Sequence, residues 1–192
     1  KERKLLKFLA LVLIATTFHK TAIIFLPVYF LSNKKLTHKY LIIFLIVILM
    51  TFIFKLQIFN IITKLVYGNY AAIQNGGGYK LLLLLIIIFV GSLYILYKKN
   101  NKEEQEQNNI WLNMLLIGIL VQTLASIEGN IARLTMYFEY SIIFLIPNII
   151  EEIDDKKIRI FLKCIVYILL TVYFVISIQN STSYIPYKMF MF

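Results

Sequence analysis

Apolar residues in this chain fall in long blocks rather than at helical or strand spacing. Leu81–Val90 contains no polar side chain, and Tyr40–Met50 has none beyond a tyrosine hydroxyl. A surface helix of a soluble domain keeps a polar face. These blocks keep none, so the solvent they fit is a bilayer. A spanning helix needs about 20 mostly apolar residues, and the pattern predicts spans at about 40–58, 80–97, 110–127, 134–150 and 158–178. The stretch 5–31 differs, because Thr16-Thr17-Phe18-His19-Lys20-Thr21 interrupts it. As one straight helix it would be about 40 Å long at about 1.5 Å per residue, against a hydrocarbon core of about 30 Å. It is either one long tilted helix or two short halves that meet near His19. The expected fold is all-α: a multi-pass transmembrane helical bundle of about six to seven membrane segments, with 1–192 as a single transmembrane domain. The chain opens on Lys1 rather than Met, and is expected to be the C-terminal part of a larger membrane protein.

Charge sets the orientation, since cytoplasmic loops collect Lys and Arg. If segments 1–7, 33–39, 98–109 and 151–163 are cytoplasmic, the only basic residues left outside them are Lys20, Lys55, Lys64, Lys80, Arg133 and Lys188. This assignment alternates correctly from residue 40 onward. It also puts both ends of 5–31 on the cytoplasmic side, which favours two halves with His19 towards the outside. The outer face then holds the loop 59–79, the turn at 127–133 and the tail 179–192. Within the loop, Ile61, Ile62, Leu65 and Val66 fall at helical spacing beside Tyr67 and Tyr70, as in an amphipathic helix lying in the interface. Asn75-Gly76-Gly77-Gly78 reads as a hinge, and Lys98–Asn109 as a mixed-charge linker.

Composition agrees with the pattern and removes several classes of function. The chain is 60% hydrophobic and 16% charged, where a soluble domain carries about 25% charged residues. Its net charge of +10 does not read as nucleic-acid binding, because the basic residues sit in short clusters between apolar blocks, not on one groove-sized face. The single cysteine, Cys164, excludes a disulfide within the chain and a cysteine-based metal site. His19 and His38 are placed too differently to share a metal. No GxGxxG, Walker loop, Ser-His-Asp pattern or HExxH occurs, and no cofactor is expected.

Chemistry must therefore come from a few polar groups at membrane depth, where ionisable residues are costly and are functional candidates by default. Lys55, Lys64, Lys80 and Lys188 stand near predicted helix ends or in loops and are explained by snorkelling. Arg133 is the strongest candidate. It opens a span on the side where the charge bias disfavours Arg, and its planar fork suits a phosphate bidentately. Asn130, Arg133 and Tyr137 would be helical neighbours. The plainer reading is an interfacial Arg paired with Glu128. His19 could be a general base or donate a hydrogen bond to a phosphate; equally it could be an interfacial histidine beside Lys20. Glu128 could serve as a base, and Glu139 as a polar contact between helices. Tyrosines near the outer face fit an aromatic belt or, more sharply, sugar stacking.

Three segments also resemble a known family. Phe18-His19-Lys20-Thr21-Ala22, with Pro27 and Tyr29-Phe30-Leu31 after it, is similar to the FHxSA signature of EpsG-like membrane proteins, with Thr21 at the serine position. Arg133-Leu134-Thr135-Met136-Tyr137-Phe138, with an apolar run to Pro147, and the tail Tyr184-Ile185-Pro186-Tyr187-Lys188 follow in family order. That family resembles the Wzy-type polymerases of capsule, exopolysaccharide and O-antigen. The resemblance implies a glycosyltransferase of the bacterial cytoplasmic membrane. It would polymerise oligosaccharide repeat units linked to undecaprenyl diphosphate at the outer face. Its partners would be that lipid-linked glycan, the bilayer and members of a polysaccharide-export complex. Arg133, His19 and Glu128 are then the expected catalytic residues. Arg133 would meet the leaving diphosphate, His19 would act as base or hydrogen-bond donor, and Glu128 would be a reserve base. Asn130 and Tyr137 would orient Arg133 or the sugar, and Lys20 and Tyr187 complete the expected substrate-binding set. The alternatives are a lipid-linked oligosaccharide flippase or exporter, which would line a path through both leaflets with polar groups, and a membrane acyltransferase.

Overall fold

The computed structural model of the chain describes residues 4–32, 34–67, 78–98 and 102–179, and these are helical almost throughout. Among the described residues, eight α-helices run in the order α1 (Leu5–Phe18), α2 (Leu26–Leu31), α3 (His38–Ile53), α4 (Lys55–Tyr67), α5 (Tyr79–Lys98), α6 (Lys102–Ala125), α7 (Gly129–Glu151) and α8 (Lys156–Gln179), with a 3-10 helix at Lys20–Phe25 between α1 and α2. The all-α expectation holds. Among the described residues, the helices long and apolar enough to cross a membrane are Tyr79–Leu96, with a mean hydropathy of 2.4, and Lys156–Ile176, with 2.1. A third is the pair α3 and α4 taken together, and Leu5–Phe18, Lys20–Leu31 and Asn108–Leu124 are shorter apolar helices.

Two compact units divide the chain, Lys1–Asn148 and Ile149–Phe192, with the division just past Pro147 in α7. In the second unit, Asp155 caps α8, its Oδ1 accepting from the backbone N–H groups of Lys157 at 2.7 Å and Ile158 at 3.3 Å. Arg159 donates to the Ile153 carbonyl through Nε (3.0 Å) and Nη2 (2.7 Å), and to Glu151 through Nη1 (3.2 Å). Lys163 also pairs with Glu151. The Lys163 hydrogen bond, joined by the Lys163 and Arg159 charges, holds the exposed Glu151 carboxyl below its usual range.

In the first unit, the stretch 5–31 is a hairpin of two halves. The Phe8 and Tyr29 rings lie 4.9 Å apart. On a straight helix those residues would be separated by about 31 Å at about 1.5 Å per residue, so the tilted single helix is ruled out. His19 makes the reversal. Its backbone is extended (φ −145°, ψ 107°), its N–H closes α1 on the Ala15 carbonyl at 2.8 Å, and its own carbonyl accepts from Ala22 at 2.9 Å. Pro27 then sits in the first turn of α2, where a missing N–H costs nothing.

The predicted span 40–58 is broken. α3 ends at Ile53, α4 starts at Lys55, and the two helices meet at 84°. α4 is the amphipathic helix expected of the following loop, with Thr63 folding its hydroxyl back onto the Phe59 carbonyl at 3.0 Å. The linker 98–109 is also shorter than expected, since α6 starts at Lys102.

α6 is the central helix of this unit. α2, α3, α4 and α5 pack against it, and Leu112, Leu115, Leu116, Ile117 and Ile119 are all buried. Surrounded by protein rather than lipid, it can carry amides that a lipid-facing helix could not, and these amides tie its neighbours down. Asn113, fully buried, donates to the carbonyls of Ser32 (3.2 Å), Lys34 (2.7 Å) and Asn109 (2.8 Å), and so holds the end of α2. Gln122 does the same for the start of α5, donating to the Gly78 carbonyl at 3.0 Å. Gly78 has φ +93°, and a Cβ there would lie 2.4 Å from Gln122 Nε2, so both backbone and space require glycine. Asn113→Ala removes the donor from two loop carbonyls at a buried position, and is expected to cost about 1–3 kcal/mol. Thermal unfolding of the purified protein in detergent checks this; an unchanged midpoint would mean that water replaces the amide.

α6 and α7 form an antiparallel hairpin. Gly118 meets Phe138, the Trp111 and Phe144 rings stack at 4.5 Å, and Asn148 donates to Asn108 at 3.1 Å. These pairs flank Glu128 at nearly equal sequence distances, so one register runs the length of the hairpin. A Cβ on Gly118 would stand 3.0 Å from that of Phe138; the absent side chain is what lets the helices approach this closely.

Candidate functional site

Both motif segments that fall in described residues belong to the first unit, and they touch. Phe25, at the end of the 3-10 helix that follows His19, has its ring 5.5 Å from Tyr137 and 5.9 Å from Phe138. From that contact, His19 is six residues back along a 3-10 helix, about 12 Å at about 2.0 Å per residue. The start of α7 is eight residues back from Tyr137, also about 12 Å at about 1.5 Å per residue. α2 runs the opposite way, to the end held by Asn113. The reversal at His19 and the turn before α7 therefore stand at the same end of the unit.

At that end, His19, Lys20 and Arg133 are exposed, Tyr137 is half-buried, and Glu128 is 6% exposed in the turn between α6 and α7. Arg133 and Tyr137 are one turn apart on α7. Asn130 lies in the first turn of α7, but its side chain, like Tyr187 and the whole tail 180–192, is outside the described residues. So are Tyr70 and the hinge residues Asn75, Gly76 and Gly77.

Three buried polar atoms in or beside the motif segments have no hydrogen-bond partner: Thr21 Oγ1, Thr135 Oγ1 and Glu139 Oε1. An unmatched buried polar atom is expensive. Thr21 occupies the serine position of the signature, and Thr135 is the third residue of the Arg133 segment. Sequence reasoning gives neither threonine a role: Thr21 enters only as the residue at the signature's serine position, and Thr135 only as part of the string around Arg133. Glu139 is expected to make a contact between helices; its Oε1 makes no such bond.

Lys55 is a further residue that sequence reasoning misses. It sits at the α3–α4 break and donates to Ser126 Oγ at 3.0 Å and Tyr79 Oη at 3.2 Å, with its ammonium 5.2 Å from the Phe52 ring centroid. Ser126 belongs to the turn that leads into α7, so Lys55 joins the end that carries Arg133. The available signal is that Lys55 interrupts its apolar run as His19 interrupts 5–31.

The model of the EpsG family matches residues 1–189. The chain belongs to the EpsG family. The match takes in all three motif segments, the undescribed tail included. No curated protein and no solved structure matches the chain. EpsG membership suggests a polymerase of polysaccharide biosynthesis, and helices long and apolar enough to cross a membrane agree with a membrane protein. In this EpsG chain, the exposed His19, Lys20 and Arg133 stand at one end of the first unit.

Proposed function

We propose that this protein polymerises undecaprenyl-diphosphate-linked oligosaccharide repeat units at the outer face of the bacterial cytoplasmic membrane. The observation that carries the reading is the contact of Phe25 with Tyr137 and Phe138, which brings two separate family segments against each other with their polar groups towards one end. The acceptor sugar hydroxyl attacks the anomeric carbon of the growing chain. The bond from that carbon to the diphosphate oxygen breaks, and its electron pair leaves with the lipid diphosphate. The exposed Arg133 guanidinium meets the charge that develops there. Its charge does not titrate away, and its fork fits two phosphate oxygens. The acceptor proton passes to His19 or to Glu128, and of these His19 is the exposed group. Tyr137, one turn from Arg133, orients the guanidinium or the sugar, with Asn130, Lys20 and Tyr187 completing the substrate contacts.

Transport predicts polar groups along a path through both leaflets, whereas here the exposed candidates gather at one end. The intermediate that accumulates on deletion separates the two readings. Single repeat units on lipid at the outer face are expected for a polymerase. Units trapped on the inner face would mean a flippase.

A further inference from the structure

We propose that Lys55, Tyr79 and Ser126 form a phosphate-binding subsite distinct from Arg133 at the same end of the first unit; the identity of the ligand as a lipid diphosphate rests on the function proposed above. Lys55 sits where the chain turns by 84° between α3 and α4. Its partners are two neutral hydroxyl oxygens, Ser126 Oγ at 3.0 Å and Tyr79 Oη at 3.2 Å, and two ring faces, Phe52 at 5.2 Å and Tyr79 at 5.7 Å. None of them neutralises its charge. A half-buried ammonium at membrane depth is costly unless something compensates it, and this one stands on the side where lysines are scarce.

The donor count points the same way. An ammonium has three N–H donors; two are spent on Tyr79 and Ser126 and one is left. Ser126 Oγ, which accepts from Lys55, spends its own proton on the Thr123 carbonyl at 3.1 Å and so is fixed in place, while the Tyr79 hydroxyl keeps its proton to donate. The cluster thus offers one ammonium N–H, one phenol O–H and a net positive charge, which suits a phosphate oxygen, with Ser126 holding the ammonium in position.

Three helices fix the arrangement. Lys55 comes from the head of α4, Ser126 from the turn just past the end of α6, and Tyr79 from the first residue of α5. Tyr79 is placed by Gly78, whose carbonyl accepts both from Leu82 of α5 at 2.9 Å and from Gln122 of α6 at 3.0 Å. Gln122 stands in the last turn of α6 and Ser126 directly follows that turn, bonded back to Thr123 at 3.1 Å, so the end of α6 positions both the hydroxyl and the tyrosine.

The test uses the whole chain in phosphatidylcholine nanodiscs, titrated calorimetrically with farnesyl diphosphate. The wild type is expected to bind. Lys55→Gln keeps an N–H donor for the two hydroxyls but removes the charge, and should weaken binding about tenfold or more. Lys55→Arg, which restores the charge, should keep most of the affinity. A second series in nanodiscs that also contain phosphatidylglycerol identifies the phosphate's source. Unchanged wild-type binding there assigns the subsite to the diphosphate, and competition by the anionic lipid assigns it to a phospholipid head group. The subsite is overturned if the wild type does not bind or if Lys55→Gln binds as the wild type does. It is also overturned if both variants lose binding together with a fall in thermal midpoint, since Lys55 would then be only a latch. Normal binding by Lys55→Gln beside chain loss in Arg133→Ala cells would sink the subsite and leave the polymerase standing. Weakened binding by Lys55→Gln beside normal chains in Arg133→Ala cells would do the reverse.

Discussion

Cells whose protein carries Arg133→Ala are expected to lose long polysaccharide chains while they still make single lipid-linked repeat units. Removing one preorganised group that stabilises developing charge typically lowers a rate about 10²–10³-fold. Chain growth needs many turnovers per product, so a loss of that size removes long chains altogether. Arg133 is exposed, so its truncation leaves no cavity, and the protein should accumulate normally on a blot. Lys at this position keeps the charge but not the fork, and should restore short chains only. His19→Ala in parallel should act more weakly if Glu128 can take the proton in its place. Normal chain lengths in both variants would mean that these residues are interfacial anchors and that the chemistry lies elsewhere.

Most of the helical layout is legible in the sequence because a bilayer makes strong local demands. A block such as Leu81–Val90 can only be a helix in lipid, and α5 and α8 follow their predicted spans within a few residues. The reversal at His19 is also readable, because a run of Thr, His and Lys inside an apolar stretch that is too long for one crossing has few other uses. What stays hidden depends on partners far away in sequence. The break at Lys55 looks, locally, like one snorkelling lysine; only Tyr79 and Ser126, 24 and 71 residues on, give it a place. Asn113 and Gln122 look like weak spots in an apolar helix, and become anchors once α6 is seen to be wrapped by its neighbours. The count of six to seven membrane segments has the same weakness. It treats each apolar block as a crossing, but a central helix can be short of apolar residues and a bent pair can share one crossing. For the candidate site, the pairing of the two motif segments through Phe25 and Tyr137 cannot be read from either segment alone. Thr21 and Thr135 carry no signal until their burial is known.

The α6–α7 hairpin gives the second large effect. Gly118→Leu is expected to force the helices apart, because even a Cβ at that position would stand 3.0 Å from Phe138 Cβ, and Phe138 is fully buried. Overpacking of a filled contact costs about 1–3 kcal/mol, and here the obstruction lies against a side chain that has no room to retreat. Gly118→Ala asks Phe138 to give by only a few tenths of an ångström, so its effect should be smaller than that of Leu. The consequence reaches the site. Phe138 and its neighbour Tyr137 are the residues that Phe25 touches, so a displaced α7 takes Arg133 away from the His19 reversal. Gly118→Leu should therefore lose long chains even though Gly118 is not among the proposed substrate contacts. A Cys pair at Asn108 and Asn148, placed in a Cys164→Ser background and probed with a short bifunctional thiol reagent, reads the hairpin directly. Efficient linking is expected with Gly118 intact and poor linking in the Gly118→Leu variant. Undiminished linking together with lost chains would separate the hairpin from the activity, and would mean that Gly118 serves the site by some route other than helix spacing.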